Sequence, residues 1–281
     1  MILGDRPEII VFYVSVVCLL LNIILTGYYW RLRRQSPLYG LIAKGLEFML
    51  FALFILNMTG LIGSIDDALR NIYVINIYEE NVYSMGYLLY LSFIFYGMNR
   101  FLGDTIRLDE ARKDSITGAN RSINYLIVLL VVLAGFSSLN LFIKNLQNNE
   151  IFYNIIEFLF AIISQLAIII FIYFAWNLND ERKETKSKLS KARLELIIYC
   201  LIIQIIISLE ILIATMMLVF ISKNQNTDRV IESFLFIFMN MTIVIAFFIV
   251  VSSLSIPNWV RNRYDLGSER FSKIIELNDM E

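Results

Sequence analysis

Apolar residues in this chain do not alternate with polar ones. They run together in seven long stretches separated by short charged or Asn-rich links. A helix needs about 20 mostly apolar residues to cross the hydrocarbon core of a bilayer. The stretches near 9–30, 41–63, 82–102, 123–143, 152–177, 196–221 and 231–256 meet that need. The pattern predicts an all-α integral membrane protein, a bundle of seven transmembrane helices over residues 1–257, with a tail over 258–281. In the tail Leu266, Phe271, Ile274, Ile275 and Leu277 mix with Glu269, Arg270, Lys273 and Glu276, as in a short amphipathic helix lying on a membrane. The first stretch reads as a retained span. It exceeds the roughly 7–15 apolar residues of a signal peptide and is followed by Tyr28-Tyr29-Trp30-Arg31-Leu32-Arg33-Arg34, not by a small-residue cleavage site.

Charge gives the helices a direction. Cytoplasmic loops collect Lys and Arg. One set of links carries Arg31, Arg33, Arg34 and Lys44, then Arg100, Arg107, Arg112, Lys113 and Arg121, then Arg182, Lys183, Lys186, Lys188, Lys191 and Arg193, and finally Arg261, Arg263, Arg270 and Lys273 in the tail. Of 24 basic residues this leaves only Arg6, Arg70, Lys144, Lys223 and Arg229 for the other side. Trp30, Trp176 and Trp259 also fall at the basic ends of their helices, where indole rings favour the headgroup region. The expected topology has the N-terminus outside and the C-terminus in the cytoplasm, which requires an odd number of spans.

Composition agrees with lipid as the solvent. The chain of 281 residues is 58% hydrophobic, with a mean hydropathy of +0.67. Soluble domains run about 45–50% apolar. A net charge of −1 gives no reason to expect a nucleic-acid partner. There is no histidine, and the two cysteines, Cys18 and Cys200, lie inside apolar runs. A disulfide framework, a Cys/His zinc site, a His-Glu-x-x-His protease helix and Ser–His catalysis are therefore excluded. No aspartate lies in any helix core, so no paired aspartyl site is expected. We expect no enzyme, no metal and no cofactor.

The same residues narrow the remaining classes. The prolines are Pro7, Pro37 and Pro257, all outside helix cores. Transporters often bind substrate at Gly- or Pro-interrupted helices, and sugar transporters of the SWEET type carry helix prolines that this chain lacks. The last helix has no lysine for a retinal Schiff base. Asn99-Arg100-Phe101 departs from the Asp/Glu-Arg-Tyr signature of G-protein-coupled receptors, and their Asn-Pro-x-x-Tyr is absent. In helix count, orientation and short outer loops, the longest near 64–81, the whole chain resembles the seven-helix sensory, receptor-like domains found in prokaryotic membrane proteins. That resemblance implies a sensor passing a membrane or small-ligand stimulus to a cytoplasmic signalling protein. The alternatives are a small-solute transporter or channel and an accessory subunit of a membrane complex.

Polar residues at bilayer depth are costly and mark candidate sites. Glu210 is the deepest acid, sharing a face with Tyr199, Ile203, Ile206 and Met217. Glu157 heads a polar stripe with Asn154, Ala161 and Ser164, and Gln165 beside it. Together with Asn57 and Asn240, the residues Glu210, Glu157 and Gln165 are expected to form a ligand or ion pocket. Asn22, Thr59 and Thr242 are further polar positions. One difficulty is that Cys200, Gln204, Ser208 and Thr215 form a second face, roughly opposed to that of Glu210. Glu47 is expected to pair locally with Lys44, and Glu232 to be interfacial. At the cytoplasmic face, Arg182, Lys183, Lys186, Arg193, Arg261 and Arg263 are the expected coupling residues. The link over 179–195, free of Gly and Pro, is expected either to extend its flanking helices into a docking surface or to meet anionic lipid.

Overall fold

The two prolines among the described residues stand where they do not break a helix. Pro7 opens the first helix and Pro257 immediately precedes the last. Between them the computed structural model of the chain is built from long helices. It describes residues 7–35, 40–70, 79–106, 123–135, 150–221 and 225–266. The elements are α1 (Pro7–Gln35), α2 (Gly40–Arg70), α3 (Glu79–Ile106), α4 (Ile123–Gly135), α5 (Glu150–Glu184), α6 (Lys188–Ile221), α7 (Gln225–Ser252) and the short α8 (Asn258–Tyr264). All regular structure among the described residues is helical. The expected extension of helices across 179–195 is present, with only residues 185–187 between α5 and α6. Ser187 starts α6 by accepting the Ser190 backbone N–H at 3.4 Å, the role of an N-cap side chain.

Among the described residues four helices are long and apolar enough to cross a membrane: Ile9–Arg34, Lys44–Ile62, Lys188–Ile213 and Ser233–Ser252. The other three expected spans, near 82–102, 123–143 and 152–177, are described only in part. In α3 the tyrosines Tyr87, Tyr90 and Tyr96, with Asn99 and Arg100, dilute the apolar run. In α4 the described helix ends at Gly135, and the rest of the expected 123–143 span lies outside the described residues. The tail beyond Leu266 also lies outside them.

Contacts at the helix ends show that helices successive in the chain run in alternating directions. Gly45 meets Gly97 and Phe101 while Thr59 meets Gly86, so α2 and α3 are antiparallel. Tyr87 reaches Ser208 and Tyr90 reaches Gln204, so α3 and α6 are antiparallel too. Thr242 meets Glu210, and Ile256 and Val260 pack with Leu196 and Ala192, which opposes α7 to α6. Arg33 at the end of α1 pairs with Glu47 near the start of α2. Asn99 donates to Asn124 at 3.0 Å, placing the start of α4 beside the end of α3. The helices pack in a ring in the order α1, α2, α3, α5, α6, α7, with α7 returning to α1 and also touching α2. One end of the bundle, hereafter the basic end, therefore gathers Arg33, Arg100, Trp176, Arg182, Trp259 and Arg263.

The radial pattern is the reverse of a water-soluble protein. Ser15, Asn22, Asn57, Gln204, Ser208 and Asn240 are buried, while Val17, Ile24, Ile169, Ile172, Phe234, Met241 and Phe248 are exposed. Apolar surface of this extent calls for an apolar surrounding, and polar groups between helices act as glue there. α1 shows the pattern most simply. Among its described residues only the narrow stripe of Val11, Ser15, Cys18, Asn22 and Tyr29 is buried, at the 3–4 and 7 spacing of one helix face. The chain is thus a helical protein suited to embedding in a membrane. Close approach of α2 and α3 depends on glycine: a Cβ on Gly97 would lie 2.7 Å from the Gly45 carbonyl oxygen.

Candidate functional site

The buried polar residues fall into separate sets, and α7 explains why. Asn240 and Thr242 are two residues apart, about 200° around a helix. Asn240 turns toward α1 and α2. It donates to Ser15 Oγ at 3.2 Å and to its own helix at Phe236 O, and it accepts from Asn57 Nδ2 at 3.0 Å. Thr242 turns the other way, toward α6, where its hydroxyl lies 3.4 Å from Glu210 Oε1. The expected union of Asn57 and Asn240 is therefore present, but Glu210 is on the far side of α7 from them. A single pocket holding all three is corrected to two sites.

Gln165 is corrected as well. α5 packs inward through Ile163, Ala167, Phe171 and Phe174. Gln165 is offset by half a turn from that face and points outward, exposed. Glu157 lies in α5, but its side chain is outside the described part of the structure, as are those of Asn154, Ser164, Thr215, Met217 and Glu232.

The second face of α6, Cys200, Gln204 and Ser208, meets tyrosines of α3 that sequence reasoning did not single out. Tyr87 donates to Ser208 Oγ at 3.4 Å, Tyr90 donates to Gln204 Oε1, and Gln204 Nε2 lies 3.7 Å from Cys200 Sγ. All five side chains are buried. Period and polarity on α6 revealed this face. Its partners were hidden because tyrosine in an apolar run reads as packing.

At the basic end the cluster centres on Glu195, which was not a candidate. Its carboxylate is only 2% exposed and accepts from four side chains on three elements. Arg182 of α5 donates to Oε2 at 3.4 Å, and Tyr199 of α6 donates to Oε1 at 2.7 Å. Arg263 and Tyr264 of α8 donate to Oε1 and Oε2. Arg182 is steadied by Asn179 at 2.9 Å, and Arg263 also reaches the Tyr199 hydroxyl at 3.1 Å. Burial, then the bond to Glu195, pushes the Tyr264 phenol above its ordinary value, so it stays a neutral donor. Beneath this polar layer α8 is seated on a small apolar cluster of Leu189, Ala192, Leu196, Ile256, Val260 and Leu266. Leu266 is brought there by Asp265, whose left-handed backbone (φ 51°) closes α8, with the Leu266 N–H on Arg261 O at 3.1 Å.

Of the expected coupling residues, Arg182 and Arg263 are thus joined through one carboxylate. The others stand apart. Lys183 is exposed and pairs with Asp180 at 3.0 Å, Lys186 is exposed, Arg193 is half-buried, and Arg261 donates to Ile256 O at 2.7 Å. Glu47 pairs with Arg33 across helices, not with Lys44, which is exposed. Arg33 also stacks over Trp30, 5.1 Å from the ring centroid. Among the described residues no cluster of three or more Cys, Asp or Glu side chains is arranged to hold a metal ion. Compared with protein-family models and with curated proteins, the chain matches none.

Proposed function

We propose that the chain is a seven-span, receptor-like membrane sensor, with its N-terminus outside and its basic end in the cytoplasm, that passes a stimulus received in the bundle to a cytoplasmic partner. The observation that carries this reading is the Glu195 cluster. A buried carboxylate is stable only while its partners stay in place. Because those partners come from α5, α6 and α8, a shift of α5 against α6 changes the seat of α8. A movement among membrane helices then becomes a change in what the basic end presents. The polar bonds on both sides of α7 give the bundle places where a stimulus could alter helix packing.

Spin labels at Lys183→Cys and Asn262→Cys test the link. In the parent protein in lipid nanodiscs, their distance distribution is expected to be narrow. Glu195→Gln is expected to add a broad, longer population while the protein remains helical. An unchanged distribution would remove the basis for coupling. Solute flux in proteoliposomes that is lost on Glu210→Gln would replace the sensor with a transporter.

A further inference from the structure

Tyr199 is both a member of the Glu195 cluster and the head of a stripe along α6. Continuing at helical spacing come Ile202, Ile206, Leu209 and Ile213, all exposed. The stripe runs about 21 Å from the basic end, enough to cover half the hydrocarbon core, about 15 Å. At its head stands a cationic, aromatic corner. The Trp259 ring, 52% exposed, lies 6.1 Å from that of Tyr199. Arg263, its side chain 56% exposed, reaches Glu195 and Tyr199 through Nη1, and its Nε and Nη2 groups have no acceptor among the described residues. The exposed charge at this end is mixed: Lys183 is paired with Asp180, and the acids Glu184 and Asp265 are exposed beside Lys186 and Lys188. The cation offered at the corner itself is therefore Arg263, whose partner Glu195 is turned inward.

We propose that this corner and stripe are a binding site for an anionic phospholipid. The phosphate sits on the outward N–H groups of Arg263 beside the Trp259 indole, and an acyl chain lies along Ile202, Ile206, Leu209 and Ile213. The fork of the guanidinium suits a phosphate's oxygens, indole favours the headgroup level, and the apolar run begins where a headgroup ends. The site rests on membrane embedding alone and stands whether or not the protein signals.

With Trp30→Phe and Trp176→Phe, Trp259 becomes the only tryptophan and reports on its own surroundings. The full chain is reconstituted in phosphatidylcholine vesicles containing brominated phosphatidylglycerol or, at equal mole fraction, brominated phosphatidylcholine. Quenching of Trp259 is expected to show an apparent preference for the anionic lipid of about fivefold, the gain from one basic group near such a headgroup, and to weaken with salt. Arg263→Gln is expected to abolish the preference. Glu195→Gln, which frees Arg263 from its carboxylate, is expected to keep or raise it, so the loss in Arg263→Gln is not ascribed to an unseated α8. Equal quenching by the two lipids, a preference that survives Arg263→Gln, or one lost in Glu195→Gln would overturn the site. A failed lipid preference with an intact spin-label response would leave the sensor reading standing, and the reverse result would leave the lipid site standing.

Discussion

Asn22 is fully buried, and neither atom of its amide has a hydrogen-bond partner among the described residues. An unpaired buried polar group costs about 1–3 kcal/mol, so Asn22→Leu is expected to leave stability unchanged or raise it by about 1 kcal/mol, as measured by unfolding in mixed micelles. A loss of that size would mean the amide has a partner. Asn57 and Asn240 differ from Asn22 in being matched to each other, at a worth of about 0.6 kcal/mol for an average interhelical bond in a membrane. All three looked alike in the sequence, because an asparagine in an apolar run announces that it faces other helices but not which ones. Glu195 was illegible for a different reason. Its importance comes from Arg263 and Tyr264, 68 and 69 positions away, and no spacing rule connects residues at that separation.

At the scale of helices, the extents were readable from apolar length and the lack of proline, and the α5–α6 turn from the continuous helix formers around it. What was not readable is how closely α2 and α3 approach. An added Cβ at Gly97 meets backbone of α2 and the Met49 side chain at 3.0 Å or less, with no flexible group able to move aside from the Gly45 carbonyl. Gly97→Ala is expected to destabilise by about 1–3 kcal/mol, the usual cost of overpacking. Gly27→Ala, at a glycine with open space around it, is expected to stay within about 0.5 kcal/mol. Urea or detergent titration of both variants decides the matter, and equal effects would show that α2 and α3 do not meet at that glycine pair.

For the whole molecule, the up-and-down order of the helices and the gathering of Trp30, Trp176 and Trp259 at one end follow the charge pattern from which the topology was read. The proposed orientation predicts that a tag at Met1 reacts with an impermeant reagent on intact cells and that one at Glu281 reacts only after permeabilisation. Both tags reacting from the same side would require an even number of spans. The placement of polar residues around the ring was the part that sequence could not supply, because hydropathy gives a helix its depth and not its neighbours.

The two-sided bonding of α7 bears on how such a bundle is able to move. Held by Asn240 toward α1 and α2 and by Thr242 toward α6, α7 behaves as an axle pinned on opposite flanks. Rotating it would break both sets of bonds together, whereas tilting it keeps each set within reach. Any rearrangement that passes through this helix is thereby biased toward rocking, and the residues beyond Ser252, at the end of that lever, travel farther than those near its pivot.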